Sequence, residues 1–344
     1  MTDPSHAGPA RRPATLAYGR LGLGCAQLGN LYRAIGDEEA TATVEAAWRG
    51  GVRYFDTAPH YGLGLSERRL GAALRGLPRD RYVVSTKVGR LLVPIPPAAG
   101  TGGAGPGRDP DLFEVPATHR RVWDFSADGV RRSLADSLDR LGLHRVDLVL
   151  IHDPEDHAEE ALKSAYPALH ELRAEGVVRA IGAGSKDPEI LARFVAETDI
   201  DAVMVAGRYT LLEQPALDAL LPLCARRSVT VLNAAVFNSG LLAEEHPHRG
   251  LPYEYQNAPD TLLERAAAIA ALCDRHGTTL PAAALHFARA HPAIGTVVAG
   301  AQGPAQARRN AALAAAPPPP AALWTDLMDA GLLRRDAPTP AGPA

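Results

Sequence analysis

Gly51-Val-Arg-Tyr-Phe-Asp-Thr-Ala-Pro-His-Tyr-Gly62 is an apolar-leaning run that closes on Asp56 and carries Tyr61 five positions further on. It reads as a short strand delivering an acid and a phenol to one edge of a sheet. Working outward, the same construction recurs. Leu21 to Leu28 is a Gly-interrupted apolar run suited to a first strand, and Asp37 to Arg49 follows with an acidic start and helical spacing of Ala42, Val44, Ala46 and Ala47. Ser66 to Arg75 reads as a helix capped by Ser66, and Arg81 to Lys87 as a buried strand ending in lysine. Ser126 to Leu141 places Val130, Leu134, Leu138 and Leu141 on one helical face, and the strand after it, Val146 to His152, ends in histidine.

The alternation continues to the end of the chain. Helix Glu159 to Glu175, closed by Gly176, precedes a strand from Val177 to Ala183 that runs into Gly184-Ser185. Helix Ile190 to Glu197, strand Ala202 to Val205, helix Pro215 to Arg227 and strand Val229 to Ala234 come next. Helices Leu262 to His276 and Pro281 to Ala290, strand Gly295 to Ala299 and helix Pro304 to Ala316 complete the series. After the Pro-rich run Pro317 to Pro320, Leu323 to Leu333 is expected to pack on the outside or at the mouth. About eight strand–helix units with no linker-like shift in composition predict an α/β fold, a closed (β/α)8 TIM barrel with long loops at its C-terminal mouth. The competing architecture, a doubly wound open sheet, lacks its usual signal, because Leu21-Gly-Leu-Gly24 has no third glycine at the required spacing.

The expected organisation is a flexible tail over 1–14, a single barrel over 15–335 and a flexible tail over 336–344. Residues 89–125 contain PIPP, AAGTGGAGPG and RDPD and read as one long lid-like loop without a packed element. Tyr253 to Gln256 falls in a second long loop. With 46% hydrophobic and 22% charged residues, the 344-residue chain has the composition of a soluble globular protein. A formal charge of −3 gives no reason to expect nucleic acid or an anionic membrane as partner. Cys25, Cys224 and Cys273 are odd in number and widely spaced, which fits neither a disulfide framework nor a metal knuckle, so no metal and a reducing, cytoplasmic setting are expected. The N-terminal residues carry no apolar signal-peptide core, and no uninterrupted apolar stretch of roughly 18 residues suits a spanning helix. Oligomeric state is left open.

In such a barrel the strand-end residues converge at the mouth, which collects Asp56, Tyr61, Lys87 and His152. A free phenol titrates near pH 10 and exchanges protons poorly at neutrality. A neighbouring ammonium favours the phenolate, and a carboxylate buried against that ammonium keeps it charged and in place. Tyr61 can then exchange a proton with a carbonyl or alcohol oxygen that His152 orients, the equipment for carbonyl reduction or its reverse.

These residues make the chain resemble the aldo-keto reductase family from Leu21-Gly-Leu-Gly24 to Asn310. The resemblance rests on Phe55-Asp-Thr-Ala-Pro-His-Tyr-Gly62, Ser85-Thr-Lys87, Asp147-Leu-Val-Leu-Ile-His152 and Gly300-Ala-Gln-Gly-Pro-Ala-Gln-Ala-Arg-Arg-Asn310. It implies a barrel binding NAD(P)H in extended form, with Tyr61 as general acid/base, Lys87 and Asp56 tuning it, and His152 orienting substrate. The wording Gly29-Asn-Leu-Tyr32, Ile151-His-Asp-Pro154, Gly207-Arg-Tyr-Thr-Leu-Leu212 and Phe237-Asn-Ser-Gly-Leu-Leu242 is similar to a branch of bacterial sugar 1-dehydrogenases acting on D-threo-aldoses, pyridoxal 4-dehydrogenases being near relatives. That branch implies hydride transfer between nicotinamide and C1 of an aldose, with Tyr61 as base. Pyridoxal 4-dehydrogenation, generic NADPH-linked aldehyde or ketone reduction, and a noncatalytic nucleotide-binding partner subunit are the alternatives.

The resemblance also implies cofactor contacts at Ser185, Phe237, Asn238, Ser239, Gly240, Gly300, Gln302, Gln306 and Asn310. Three positions depart from the family pattern: Gly184-Ser185 replaces Ser-Asn, Ala206 stands where glutamine is usual, and Ala234 stands near the place of a stacking tyrosine. Neutral Gly300 and Gln306 occupy positions where NADP-preferring members carry basic residues. A 2′-phosphate would lack a charge partner there unless Arg308 or Arg309 reaches round, so NAD is expected over NADP. Tyr32, Trp123 and Asp153 are the candidate contacts to a small-molecule, hydroxyl-rich substrate.

Overall fold

A computed structural model describes residues 16–96, 107–254 and 256–340. The strands are β1 (Leu21–Gly24), β2 (Tyr54–Asp56), β3 (Val83–Val88), β4 (Arg90–Pro94), β5 (His119–Trp123), β6 (Leu148–His152), β7 (Ala180–Ser185), β8 (Ala202–Ala206), β9 (Thr230–Ala234), β10 (Pro252–Tyr253), β11 (Gln256–Asn257) and β12 (Ile294–Gly300). Of these, β1, β2, β3, β6, β7, β8, β9 and β12 close into a barrel in that order. All neighbours are parallel, so each connection crosses the outside, and helices fill most of those crossovers. The expected (β/α)8 barrel is the fold.

Side-chain alternation along these strands builds two separate cores. Inward positions, among them Tyr54, Val83, Leu148, Leu150, Ala202, Met204, Leu232 and Val298, fill the barrel, and Leu16 and Tyr18 join them. Gly22 makes room for this filling, because a Cβ there would lie 2.5 Å from the Tyr54 ring. Outward positions such as Phe55, Val84, Val149, Ile181, Val203 and Val231 join the helices in a much larger layer. The helices start where local chemistry supplies a cap. Ser126 Oγ accepts from Gly129 N at 3.0 Å at the head of Ala127–Leu141, and Asp187 Oδ1 accepts from Glu189 N at 2.8 Å at the head of Pro188–Glu197.

Four local expectations are corrected. Ser66 is not a cap: the helix is Leu65–Leu74, its N-cap is Gly64 at φ +79, and Ser66 lies buried in the first turn. Residues 89–125 are not all loop, since β4 and β5 pair antiparallel from Arg90↔Trp123 to Pro94↔His119. The Pro- and Gly-rich middle of that segment masked two short strands that only each other can pair. Residues 97–106 within it lie outside the described residues, as do 1–15 and 341–344, which include the whole expected N-terminal tail. The helix expected over 159–175 is interrupted by a π-helical turn, Ala161–Ala165, directly ahead of the segment Tyr166–Ala174. Pro167 has no N–H to give and crowds the preceding turn, and the wider turn relieves both demands. Ala337, inside the expected C-terminal tail, is buried in the core.

The three cysteines are buried and free of disulfides. Among the described residues no helix is long and apolar enough to cross a membrane, and no group of three or more His, Cys, Asp or Glu could hold a metal ion.

Candidate active site

The period of two that fills the barrel also places the chemistry. Tyr54 and Asp56 on β2, Val83, Ser85 and Lys87 on β3, and Leu148, Leu150 and His152 on β6 share the inward face, so the last polar residue of each strand stands above an apolar floor. Asp56 and Lys87 are each 2% exposed and His152 7%. Tyr61 arrives from the loop after β2. That loop rests directly on the turn Ala26–Gly29, where a Cβ on Gly29 would lie 2.6 Å from the Tyr61 carbonyl carbon. Gly62, at φ +61, permits the approach from the other side. Ser66 secures the base of the loop, donating to the Cys25 carbonyl at 2.6 Å and sharing a hydrogen bond with Thr57 Oγ1 at 2.9 Å.

Lys87 Nζ donates to Asp56 Oδ2 at 2.7 Å, to the Thr57 carbonyl at 3.0 Å and to Tyr61 Oη at 3.0 Å. The other Asp56 oxygen accepts from Ser85 Oγ at 2.7 Å, and Ser85 in turn accepts from Tyr54 Oη at 2.7 Å. All three ammonium protons are therefore directed, and Asp56 is oriented from both sides. Ser85 and Thr57 were not among the expected site residues, although the inward register two positions before Lys87 points to Ser85.

Burial alone would lower the Lys87 pKa, yet Asp56 and Tyr61 beside it carry it above the ordinary lysine value. Burial is also the largest influence on Tyr61. It raises the phenol to about 12, with Asp56 adding to the rise and Lys87 opposing it. Lys87 thus favours the phenolate, as expected, but burial outweighs it and the phenol is protonated at neutral pH. His152 is held well below the usual imidazole range by burial, then by Arg90, Lys87 and His60, and stays neutral.

Around His152 lies a polar rim that sequence reasoning found only in part. Asp153 Oδ2 accepts from Arg90 Nη2 at 2.6 Å and lies 3.5 Å from His152 Nε2. Arg90 sits over the Trp123 ring, 4.3 Å from its centroid, and Trp123 stacks on Phe125 with centroids 5.7 Å apart. His60 meets Tyr61, His152 and Phe113 edge to face, and burial followed by Arg90, Arg121 and Lys87 lowers its pKa to about 2. Arg121 on β5 donates to the His60 carbonyl at 2.9 Å and clamps buried Asp109 through both carboxylate oxygens, which docks the segment after residue 106 beside Tyr61. Tyr32, at φ +62, joins that segment through its N–H to the Leu112 carbonyl at 3.2 Å. Arg90 and Arg121 lay beyond the sequence motifs because their partners are distant in the chain, and His60, though inside the motif around Tyr61, gave no sign there of its contacts with His152 and Phe113.

The expected cofactor residues fall into two adjoining segments and one outlier. Ala235, Asn238, Ser239 and Gly240 all have positive φ, in a tight turn closed by Asn238 N donating to the Ala235 carbonyl at 2.9 Å and Gly240 N to the Phe237 carbonyl at 3.0 Å. Asn238 Nδ2 donates to Glu213 at 3.2 Å while its Oδ1 is buried without a partner, and Ser239 Oγ accepts from Glu254 N at 3.1 Å. Phe237 packs against the outer core. In the second segment, Gln306 Oε1 accepts from Gln302 N at 2.7 Å and Asn310 Nδ2 donates to the Gly300 carbonyl at 3.1 Å. Arg309 links the two segments, donating to the Ala243 carbonyl at 3.2 Å and pairing with Glu245 at 3.2 Å. Gln27 fills the space beside Gly300, where a Cβ would lie 2.6 Å from its Oε1, and that oxygen is buried and unpartnered. The two unpartnered amide oxygens, on Asn238 and Gln27, fit the hydroxyl and amide donors of a dinucleotide. Ser185 is the outlier. Its hydroxyl donates to Glu155 and accepts from Asp187 N at 2.7 Å, on the face of β7 opposite the barrel interior.

A closed parallel barrel with this buried Asp–Lys–Tyr network beside a neutral histidine, and without a Gly-rich dinucleotide turn, defines a nicotinamide-linked barrel oxidoreductase. The chain belongs to the aldo/keto reductase family, whose model matches residues 20–322. It is 52% identical to a D-threo-aldose 1-dehydrogenase of Pseudomonas sp, over 96% of this chain and 98% of that protein. A pyridoxal 4-dehydrogenase of Microbacterium luteolum is 38% identical over 91% and 94% of the two chains. Among solved structures, the holo form of a Bacillus halodurans aldo-keto reductase superposes with a TM-score of 0.69 at 25% identity, covering 90% of this chain and 91% of that one.

Proposed function

We propose that this oxidoreductase oxidises the hemiacetal C1 of a neutral aldose to the lactone, with NAD preferred over NADP. The observation that carries the reading is the Lys87 ammonium bonded at once to Asp56 and to the Tyr61 hydroxyl in a buried mouth. The identity to the Pseudomonas aldose dehydrogenase supports the substrate class. The bound nicotinamide supplies a hydride acceptor, and every proton step belongs to this chain. Tyr61 takes the proton of the anomeric hydroxyl, Lys87 stabilises the phenolate that does so, and Asp56 keeps Lys87 charged. His152, neutral, donates a hydrogen bond to the reacting oxygen and fixes its angle.

Support for NAD comes from two cations near the Gly300–Asn310 segment that are already engaged. Arg309 is engaged by Glu245, and Arg33, which donates to the Gln302 carbonyl, is engaged by Glu39. Arg308 lies in a groove with Glu45 and Arg49 of the helix Asp37–Arg49. A basic side chain at position 300 would meet Gln27.

The reading is tested on L-fucose, L-galactose, D-arabinose, pyridoxal and simple aldehydes, following the nicotinamide absorbance with NAD and with NADP. Aldose oxidation with NAD is expected. Tyr61→Phe is expected to lower kcat by about 10²- to 10⁴-fold, the usual yield of a positioned proton donor or acceptor, with NAD binding by fluorescence unchanged. Unchanged turnover in that variant refutes the mechanism. The relative at 38% identity favours pyridoxal as a second reading, which preferential pyridoxal turnover in the panel would establish.

A further inference from the structure

Asp153 occupies a conformation with a cost. Its φ of +43 lies in the left-handed region that non-glycine residues rarely adopt, and its N–H is tied to the Gly184 carbonyl at 2.8 Å. The result is a carboxylate poised directly beside His152. One oxygen, Oδ2, is shared unequally, 2.6 Å from Arg90 Nη2 and 3.5 Å from His152 Nε2. Among the described residues no donor bonds the other oxygen, and the Asp153 side chain keeps 37% of its surface exposed at the mouth. Arg90 is much less free, with 13% exposure, the Trp123 ring against its guanidinium, and a preceding Gly89 whose φ of +108 turns the chain out of β3 and across the mouth.

We propose that Arg90 is a positioning residue of this active site: it draws the Asp153 carboxylate away from His152, leaving His152 Nε2 free to donate to the reacting oxygen and presenting the second Asp153 oxygen to a neighbouring hydroxyl of the substrate. The second half of this proposal rests on the aldose reading, and the first half does not. The pairing also leaves Arg90 no spare charge, so the site selects a neutral polyhydroxy substrate over a phosphorylated or carboxylate-bearing sugar, whose anion would have to displace Asp153.

The groups facing His152 are Lys87 on β3, Arg90 on β4, His60 and Tyr61 on the loop after β2, and Asp153 directly after its own strand. Burial, Arg90, Lys87 and His60 all hold its pKa down. Removing Arg90 takes away one of these and releases Asp153 to close on the imidazole, two changes that act in the same direction. His152 then becomes an imidazolium at higher pH, paired with Asp153 and unavailable in its neutral form.

The test is the pH profile of kcat/KM for reduction of a simple aldehyde, in which Tyr61 stays protonated and leaves the acid limb to His152, measured on Arg90→Met, Arg90→Lys, Asp153→Asn and the double variant Arg90→Met/Asp153→Asn, with thermal melts to confirm folding. In Arg90→Met the acid limb is expected to rise by about one pH unit or more, the scale of a carboxylate gained by a buried base. The double variant is expected to return the limb toward its wild-type position, and Arg90→Lys to keep it there. Asp153→Asn alone is expected to raise KM for the aldose without moving the limb upward, and this arm stands even if Arg90→Met fails to fold. An unmoved limb in Arg90→Met, or a displaced limb that survives in the double variant, overturns the positioning role. Because the limb is read with a simple aldehyde, a shift seen there while no aldose is turned over overturns the substrate reading and leaves the positioning of His152 standing. A sugar phosphate preferred over the neutral sugar overturns the selectivity.

Discussion

Asp56→Asn is the sharpest perturbation of this site because it removes a charge while preserving shape. In the native protein the three Lys87 donors meet a carboxylate oxygen, the Thr57 carbonyl and the Tyr61 hydroxyl, and Ser85 Oγ holds the other Asp56 oxygen. With asparagine, Ser85 keeps the amide oxygen turned to itself, which points the amide N–H2 at the ammonium. A donor then faces a donor, and a cation with 3% side-chain exposure has lost its counter-charge. Leaving one member of a buried pair without its partner costs about 3–5 kcal/mol. Lys87 then titrates lower, because its pKa is now held up chiefly by Asp56, and burial takes over. Its native stabilisation is fully present below the unfolded lysine pKa and is lost as pH rises through the folded one. The variant therefore loses stability across the whole neutral range. Urea unfolding at pH 7 is the assay, alongside NAD-linked aldose oxidation. The double variant Asp56→Asn/Lys87→Met removes the stranded charge and is expected to recover most of the stability but none of the activity, since Tyr61 then has no ammonium. Asp56→Asn as stable as the wild type, or a double variant no more stable than Asp56→Asn, would refute the argument that Asp56 acts by compensating a buried charge.

The pH dependence and the cofactor preference are open to equally direct tests. With the Tyr61 phenol at about 12, the form that accepts a proton is scarce at neutrality, so kcat/KM for aldose oxidation is expected to climb steadily from about pH 7 to pH 10, whereas carbonyl reduction does not gain over that interval. An oxidation profile already flat by about pH 7 contradicts the assignment of Tyr61 as the base. Glu245→Ala releases Arg309 and is expected to raise the NADP-to-NAD ratio of kcat/KM by about twofold to fivefold, the scale of a half-exposed ion pair. No change in that ratio would detach Arg309 from cofactor choice.

Much of this protein was legible in its sequence, and the reason is periodicity. Apolar runs that end in a polar residue, separated by helical spacing, report a parallel barrel, because strand and helix each impose their period on neighbouring residues. The ends of those runs placed Asp56, Lys87 and His152 at one mouth before any contact was known. What stayed hidden depended on partners far apart in the chain. The β4–β5 hairpin forms because Arg90–Pro94 finds His119–Trp123 across a Pro- and Gly-rich stretch, and no local signal links the two. Ser66 looks like a cap by residue type, yet the buried carbonyl of Cys25 claims its hydroxyl. Ser185 sits at a strand end as expected, but one step of register turns it to Glu155 and away from the barrel interior.

The sequence by itself therefore determined the barrel, the four residues at its mouth and the family, all of which rest on short-range spacing and on residue type. Only the tertiary structure decided the electrical state of the site, because that state is a sum of burial and distances that no spacing encodes. It shows the Tyr61 phenol raised by burial against the pull of Lys87, His152 and His60 held neutral, and Asp153 divided between Arg90 and His152.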